Sequence, residues 1–264
     1  MNWEDIKNDF DKAIRSNPRI NAILRKPSPT YKDANNYSII VGDTMGKIVA
    51  KKKNFPDGIS YDDAFKTLDP ALNYSYDLSK DMAVKAQKNV NRKAGLNLNP
   101  AIPKPKPGLI AGLAKEISDR GGIDGFEAKF ADQIGRFIMN GVDDTVSVNA
   151  YESQALGLAP KVVREAEPEC CEWCANLEGE YTPNEAEVLG VYRRHDNCRC
   201  TVEYVIGNVS ETVHTGKEGK IKWRKDENGR SRRIEDDQRR QRESEAARNE
   251  RIAREKLAGL SGRK

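Results

Sequence analysis

Apolar residues in the first part of the chain recur at steps of three and four rather than in alternation, and that spacing predicts helices. Trp3, Ile6, Phe10 and Ile14 share one helical face behind Asn2 as N-cap, and a polar loop with Pro27 and Pro29 follows. Val41, Met45, Ile48 and Val49 mark a second helix, and Ser60 with Asp63 reads as a capping box opening a third through Phe65. Residues 77–94 give a fourth, stopped by Gly95. These stripes are read as core.

The pattern breaks at Asn99–Gly108, where Pro100, Pro103, Pro105 and Pro107 cannot continue a helix and favour a stiff, extended segment. It is read as a linker over 100–108, between an N-terminal helical region 1–99 and a second helical region 109–165; a partner-binding proline segment is the other reading. Leu109–Ser118, then Phe126, Phe130, Ile134 and Phe137, predict a helical pair with an aromatic face, and a further helix from Asp144 to Leu156 stops at Gly157. Val162 and Val163 start a short strand, and Cys200–Ile206 gives another. The expected fold is mainly α: a helical body, a small zinc-stapled β-unit over 166–206, and a charged tail over 207–264.

All five cysteines fall in this β-unit. Cys171-Glu-Trp-Cys174 is separated by 20 residues from His195-Asp-Asn-Cys198-Arg-Cys200. A C-x2-C pair followed by H-x2-C is what two short turns need to present two soft ligands each to one tetrahedral Zn²⁺. Cys171, Cys174, His195 and Cys198 have the standard spacing, and Cys200 can replace His195 or Cys198, because alternate strand residues share a face. Cys170 is the expected bystander. Free thiols or a disulfide-linked loop are the plainer alternative. The intervening residues 175–194 are polar and broken by Pro183 and Gly190, so metal rather than packing is expected to hold them. No third group completes a catalytic Cys/His arrangement.

The run Glu169-Cys-Cys-Glu-Trp-Cys-Ala-Asn-Leu-Glu-Gly-Glu-Tyr181, followed by Arg194-His-Asp-Asn-Cys-Arg-Cys-Thr-Val-Glu-Tyr204, resembles the C-terminal signature of the phage Mu F-like head morphogenesis proteins, minor capsid proteins of tailed bacteriophages. That signature reads C-x2-C, L-x-G, then H-x-N-C-R-C. The stretch from Phe126 to Val163 is similar to the helical segment preceding it. The match covers about the third quarter of the chain, and residues 1–100 carry no part of it. Where the family often has proline after the histidine, this chain has Asp196. The resemblance implies a non-enzymatic structural protein inside the phage head, near the portal, with the portal or major capsid protein as partner and a role in head assembly, DNA packaging or ejection. The alternative is a zinc-containing, metal-dependent nuclease, but His195 cannot both ligate zinc and act as a base, and His214 is the only other histidine. A zinc-containing transcription regulator is weaker still, lacking a recognition helix beside the cysteines.

Composition fits the structural reading: of 264 residues, 33% are charged and 7% aromatic, a balance suited to solvated helices more than to a deep cleft. The opening residues lack a signal peptide's apolar stretch, and no run of about eighteen apolar residues occurs, so no membrane role and synthesis in a reducing host cytoplasm are expected. From Lys217 to Lys264 there are 17 Lys/Arg against 10 Asp/Glu, a net of +7, which leaves 28 against 31, or −3, for the rest. Arg230, Arg232, Arg233, Arg239, Arg240 and Arg242 are therefore candidate phosphate contacts to packaged double-stranded DNA, while interspersed glutamates equally suit a solvated helix with i,i+4 pairs.

Overall fold

The computed structural model describes residues 3–167 and 170–206, together with the backbone of two short strands further on. Helix α1 (Trp3–Ser16) buries Ile6, Phe10 and Ile14, the face that their spacing predicts, and Trp3 packs edge-on against Tyr74 at 5.6 Å. Asn2 lies outside the described residues. The segment after it holds a helix not anticipated from the sequence, α2 (Pro18–Leu24). Asn17 caps it by accepting from the Arg19 and Ile20 N–H groups, and Pro18 occupies a first-turn position where no donor is needed.

Three long helices form the body. Helix α3 (Tyr31–Val49) begins well before the apolar cluster that marked it, at a capping box between Thr30 and Asp33. Helix α4 (Tyr61–Lys93) starts at Ser60 as expected, although the Asp63 carboxylate accepts from the Ser60 hydroxyl and so only half of the capping box is formed. It then runs unbroken for 33 residues, where two helices were expected. Pro70 removes one intrahelical donor, but Leu68, Ala71 and Leu72 keep the buried face continuous across it, so the packed stripe outweighs the missing bond. Gly95, at φ +70°, ends the helix as predicted.

Helix α5 (Pro107–Asp119) is followed by α6 (Glu127–Ala155), which merges the two helices expected between Phe126 and Leu156. Gly157 takes a positive φ just beyond its end. Helices α3 and α6 approach at glycines: a Cβ on Gly46 would stand 2.4 Å from the Ala131 carbonyl oxygen, and one on Gly42 would stand 3.0 Å from the Gly135 backbone. The proline segment 100–108 is not a boundary between separate bodies. The α4 and α6 helices on either side of it pack together within one compact unit, and Asn149 of α6 holds the segment by accepting from the Ala101 N–H at 2.8 Å and donating to its carbonyl at 3.0 Å.

Strands β1 (Pro160–Glu165), β2 (Gly179–Tyr181) and β3 (Thr201–Ile206) form an antiparallel sheet with β1 in the middle. Val162 lies opposite both Tyr181 and Tyr204, which fixes one face: Val162, Arg164, Tyr181, Val202, Tyr204 and Ile206 are all buried, with Tyr204 hydrogen-bonded to Ser153 of α6. Between β1 and β3 lie two short helices, α7 (Glu172–Asn176) and α8 (Pro183–Val188), the second opened by a Thr182–Glu185 capping box. The expectation that metal rather than packing holds this connection is corrected here: the segment has no core of its own, but Tyr181, Ala186 and Val191 pack into the main hydrophobic core. Among the described residues no helix is long and apolar enough to cross a membrane. Further along the chain, β4 (Trp223–Lys225) and β5 (Ser231–Arg233) pair antiparallel with Trp223 opposite Arg233.

Candidate metal centre

Local backbone chemistry builds both turns of the site. Cys171 is the N-cap of α7, and its carbonyl accepts from the Ala175 N–H, so Cys174 follows about one helical turn later on the same side. In the second turn the Cys198 N–H donates to the His195 carbonyl at 3.2 Å, with Asn197 at φ +58°, a left-handed conformation that asparagine tolerates better than most residues. Each turn thereby aims two side chains the same way.

The fold brings the two turns together. His195 Nε2 lies 3.2 Å from Cys171 Sγ and 2.9 Å from Cys174 Sγ, and Cys174 Sγ lies 3.7 Å from Cys198 Sγ. The donors form two overlapping groups, Cys171–Cys174–His195 and Cys174–Cys198–Cys200, each mutually within 4.8 Å and each able to hold a metal ion. Sulfurs bound tetrahedrally at about 2.3 Å to one ion stand about 3.8 Å apart, which is the Cys174–Cys198 spacing. A disulfide would need about 2.05 Å, and none of the five cysteines is disulfide-bonded. His195 Nδ1 is placed to donate to the Asp196 carbonyl at 2.6 Å, which leaves the Nε2 lone pair facing the sulfurs, the tautomer that metal-binding imidazoles adopt. Cys170 is half-buried and packs against the Cys174, Cys198 and Cys200 group.

Two arginines set the charge of the site. Arg164, fully buried on the inner face of β1, donates through Nη2 to Cys174 Sγ at 3.3 Å and Cys198 Sγ at 3.6 Å, and through Nη1 to the carbonyls of Val191 and Arg193. Burial pushes the Cys174 thiol up to about 11. Cys198 is held far below the ordinary thiol value, first by the hydrogen bond from the Cys200 thiol and then, against burial, by Arg194 and Arg164; Cys200 is pushed up by sharing that proton. Metal binds thiolates, and of these three donors Cys198 is the one whose surroundings favour that form.

Polar contacts anchor the second turn to the helices. Arg194 pairs with Asp143 of α6 and also reaches the Cys200 carbonyl at 2.8 Å and Asn35 Oδ1 of α3 at 3.2 Å. The Asn197 N–H donates to Asp132 at 2.9 Å, and Arg136 spans Asp132 and Asp196, so Asp196 is an anchor for the turn. Arg199 pairs with Asp43 at 2.9 Å. The sequence reading had no role for Arg164, Arg194 or Asp143. One signal was present: by strand alternation Arg164 shares the inward face of Val162, an unusual place for a charge unless a counter-charge waits there.

Of the tail arginines, Arg232 and Arg233 lie on β5, where only the backbone is described, and Arg230, Arg239, Arg240 and Arg242 lie outside the described residues. No protein-family model, curated protein or solved structure matches this chain. Fold and site on their own define a mainly helical protein with a small antiparallel sheet and a Cys/His cluster able to hold a metal ion.

Proposed function

We propose that this chain is a structural minor capsid component of a tailed bacteriophage, of the phage Mu F-like head morphogenesis type, in which Cys171, Cys174, His195 and Cys198 hold a structural Zn²⁺. The observation that carries the metal reading is the meeting of two turns separated by 20 residues, with His195 Nε2 between the sulfurs of Cys171 and Cys174. A mixed sulfur and imidazole set suits zinc. The part of the reading that concerns the phage head rests on the resemblance of residues 169–181 and 194–204.

A non-catalytic role is supported by the state of His195. Both of its ring nitrogens are engaged, Nδ1 by a carbonyl and Nε2 by the sulfurs, which leaves neither for acid–base work on a substrate. In this reading the protein sits inside the head beside the portal, with the tail arginines from Arg230 to Arg242 against packaged DNA. Each phosphate neutralised there steepens the salt dependence of binding.

Two measurements test the proposal. Zinc content of the purified chain should fall on Cys171→Ser and on Cys198→Ser; undiminished zinc in both variants sinks the ligand assignment. Mass spectrometry of purified virions should detect the chain in a few copies per particle, and its absence from virions removes the head role.

A further inference from the structure

Six soft donors, Cys170, Cys171, Cys174, His195, Cys198 and Cys200, crowd one end of β1, more than one tetrahedral ion can use. Their arrangement is not that of four ligands with two spectators. The two groups of three share Cys174, with Cys171 and His195 in one and Cys198 and Cys200 in the other, and Cys170 packs against the second. Cys170, Cys171, His195, Cys198 and Cys200 all line a single cavity of about 740 Å³. Cys174 is the donor common to both groups, and its sulfur lies 3.7 Å from that of Cys198, with the same Arg164 nitrogen touching both.

We propose that this cage holds two Zn²⁺ ions, with the thiolates of Cys174 and Cys198 shared between them. Cys171 and His195 complete one ion, and Cys170 and Cys200 complete the other. The inference rests on the metal-binding reading above and extends it by a second ion. Sulfur can bridge because a thiolate carries more than one lone pair, and with both central sulfurs counted twice the six donors satisfy two four-coordinate ions. The charge balance allows it. One ion with three thiolates and a neutral imidazole is a monoanion, offset by Arg164, whose other hydrogen bonds go to carbonyl oxygens. A second dication arriving with the thiolates of Cys170 and Cys200 adds no net charge. A single ion would instead strand Cys200, 1% exposed, as a spare thiol against the cluster.

The test is a metal count on the intact chain, purified under reducing conditions and dialysed free of loose zinc. Two zinc ions per chain are expected, with one each in Cys170→Ser and Cys200→Ser and unchanged helical circular dichroism. Cobalt(II) titrated into the metal-free protein should give an electron paramagnetic resonance signal that grows to the first equivalent and falls toward the second, because shared thiolates couple the two spins. One zinc per folded wild-type chain overturns the second ion and leaves the single staple standing. No zinc at all overturns the metal reading itself. A cobalt signal that keeps growing to two equivalents overturns the shared thiolates, and two ions retained in both serine variants overturn Cys170 and Cys200 as ligands.

Discussion

Arg194 and Asp143 form a two-pronged ion pair at 2.5 and 2.7 Å, each side chain 2% exposed, one residue upstream of His195. It ties the second ligand turn to α6, and through Arg194 to the Cys200 carbonyl and Asn35 of α3. The helical body thus sets the position of the imidazole.

Removing one partner leaves the other charge buried and unpaired. Arg194→Met should destabilise the fold by about 3–5 kcal/mol. The double variant Arg194→Met with Asp143→Leu should recover a good part of that loss. Denaturant unfolding of the two variants checks this, and equal stabilities would show that the pair is not coupled.

Close helix contact makes Gly46 intolerant of even one methyl group. Gly46→Ala places a Cβ 2.4 Å from a backbone oxygen that no side-chain rotation can move, so α3 and α6 must separate. A loss of about 1–3 kcal/mol is expected, the usual range for overpacking. Gly108→Ala, which meets nothing within 4 Å, should lose far less in the same thermal melts.

Asp33 gives the start of α3 a dependence on pH. Burial alone would raise its carboxyl, but the Lys26 ammonium at 2.6 Å and the Thr30 N–H and hydroxyl, each at 3.0 Å, outweigh burial and hold it below the usual carboxylate range. A folded-state value that is depressed contributes stability above the unfolded value of about 3.9 and loses it as pH falls through the folded one. Asp33→Asn should therefore be about 1 kcal/mol less stable than wild type at neutral pH. That gap should close in acid, and denaturant midpoints across the pH range would reveal a gap that does not.

Chelation of bound metal should loosen the two turns and spare the sheet. Val162, Tyr181, Val202 and Tyr204 belong to the main core, and β1 pairs with β3 along six residues, so their amides should stay protected. Residues 171–176 and 195–200 should exchange quickly once metal is gone. Hydrogen exchange showing uniform loss from 160 to 206 would mean that the ion holds the sheet as well.

Where local chemistry determines structure, the sequence was enough. The buried stripe of α1, the Ser60 start of α4, the glycine stops at Gly95 and Gly157, and strands β1 and β3 could all be read from it, as could the nearness of the cysteines and His195 that form a cluster able to hold a metal ion. The reason is that caps, turns and helical periodicity act over a few residues, and C-x2-C and H-x2-C are local devices of the same kind.

Burial decided the rest. The sequence reads as two helices on either side of residues 66–76 and as a break at the prolines of 100–108, yet α4 runs on through Pro70 because its packed face outweighs one missing bond, and the second segment lies along α6 because Asn149 satisfies its backbone. Arg164, Arg194 and Asp143 are three charges scattered along the chain, and only the tertiary structure places them in one desolvated site, where each makes sense through its neighbours. Contacts between residues far apart in sequence carry no local signature, which is why the donors were legible and the charges that orient them were not.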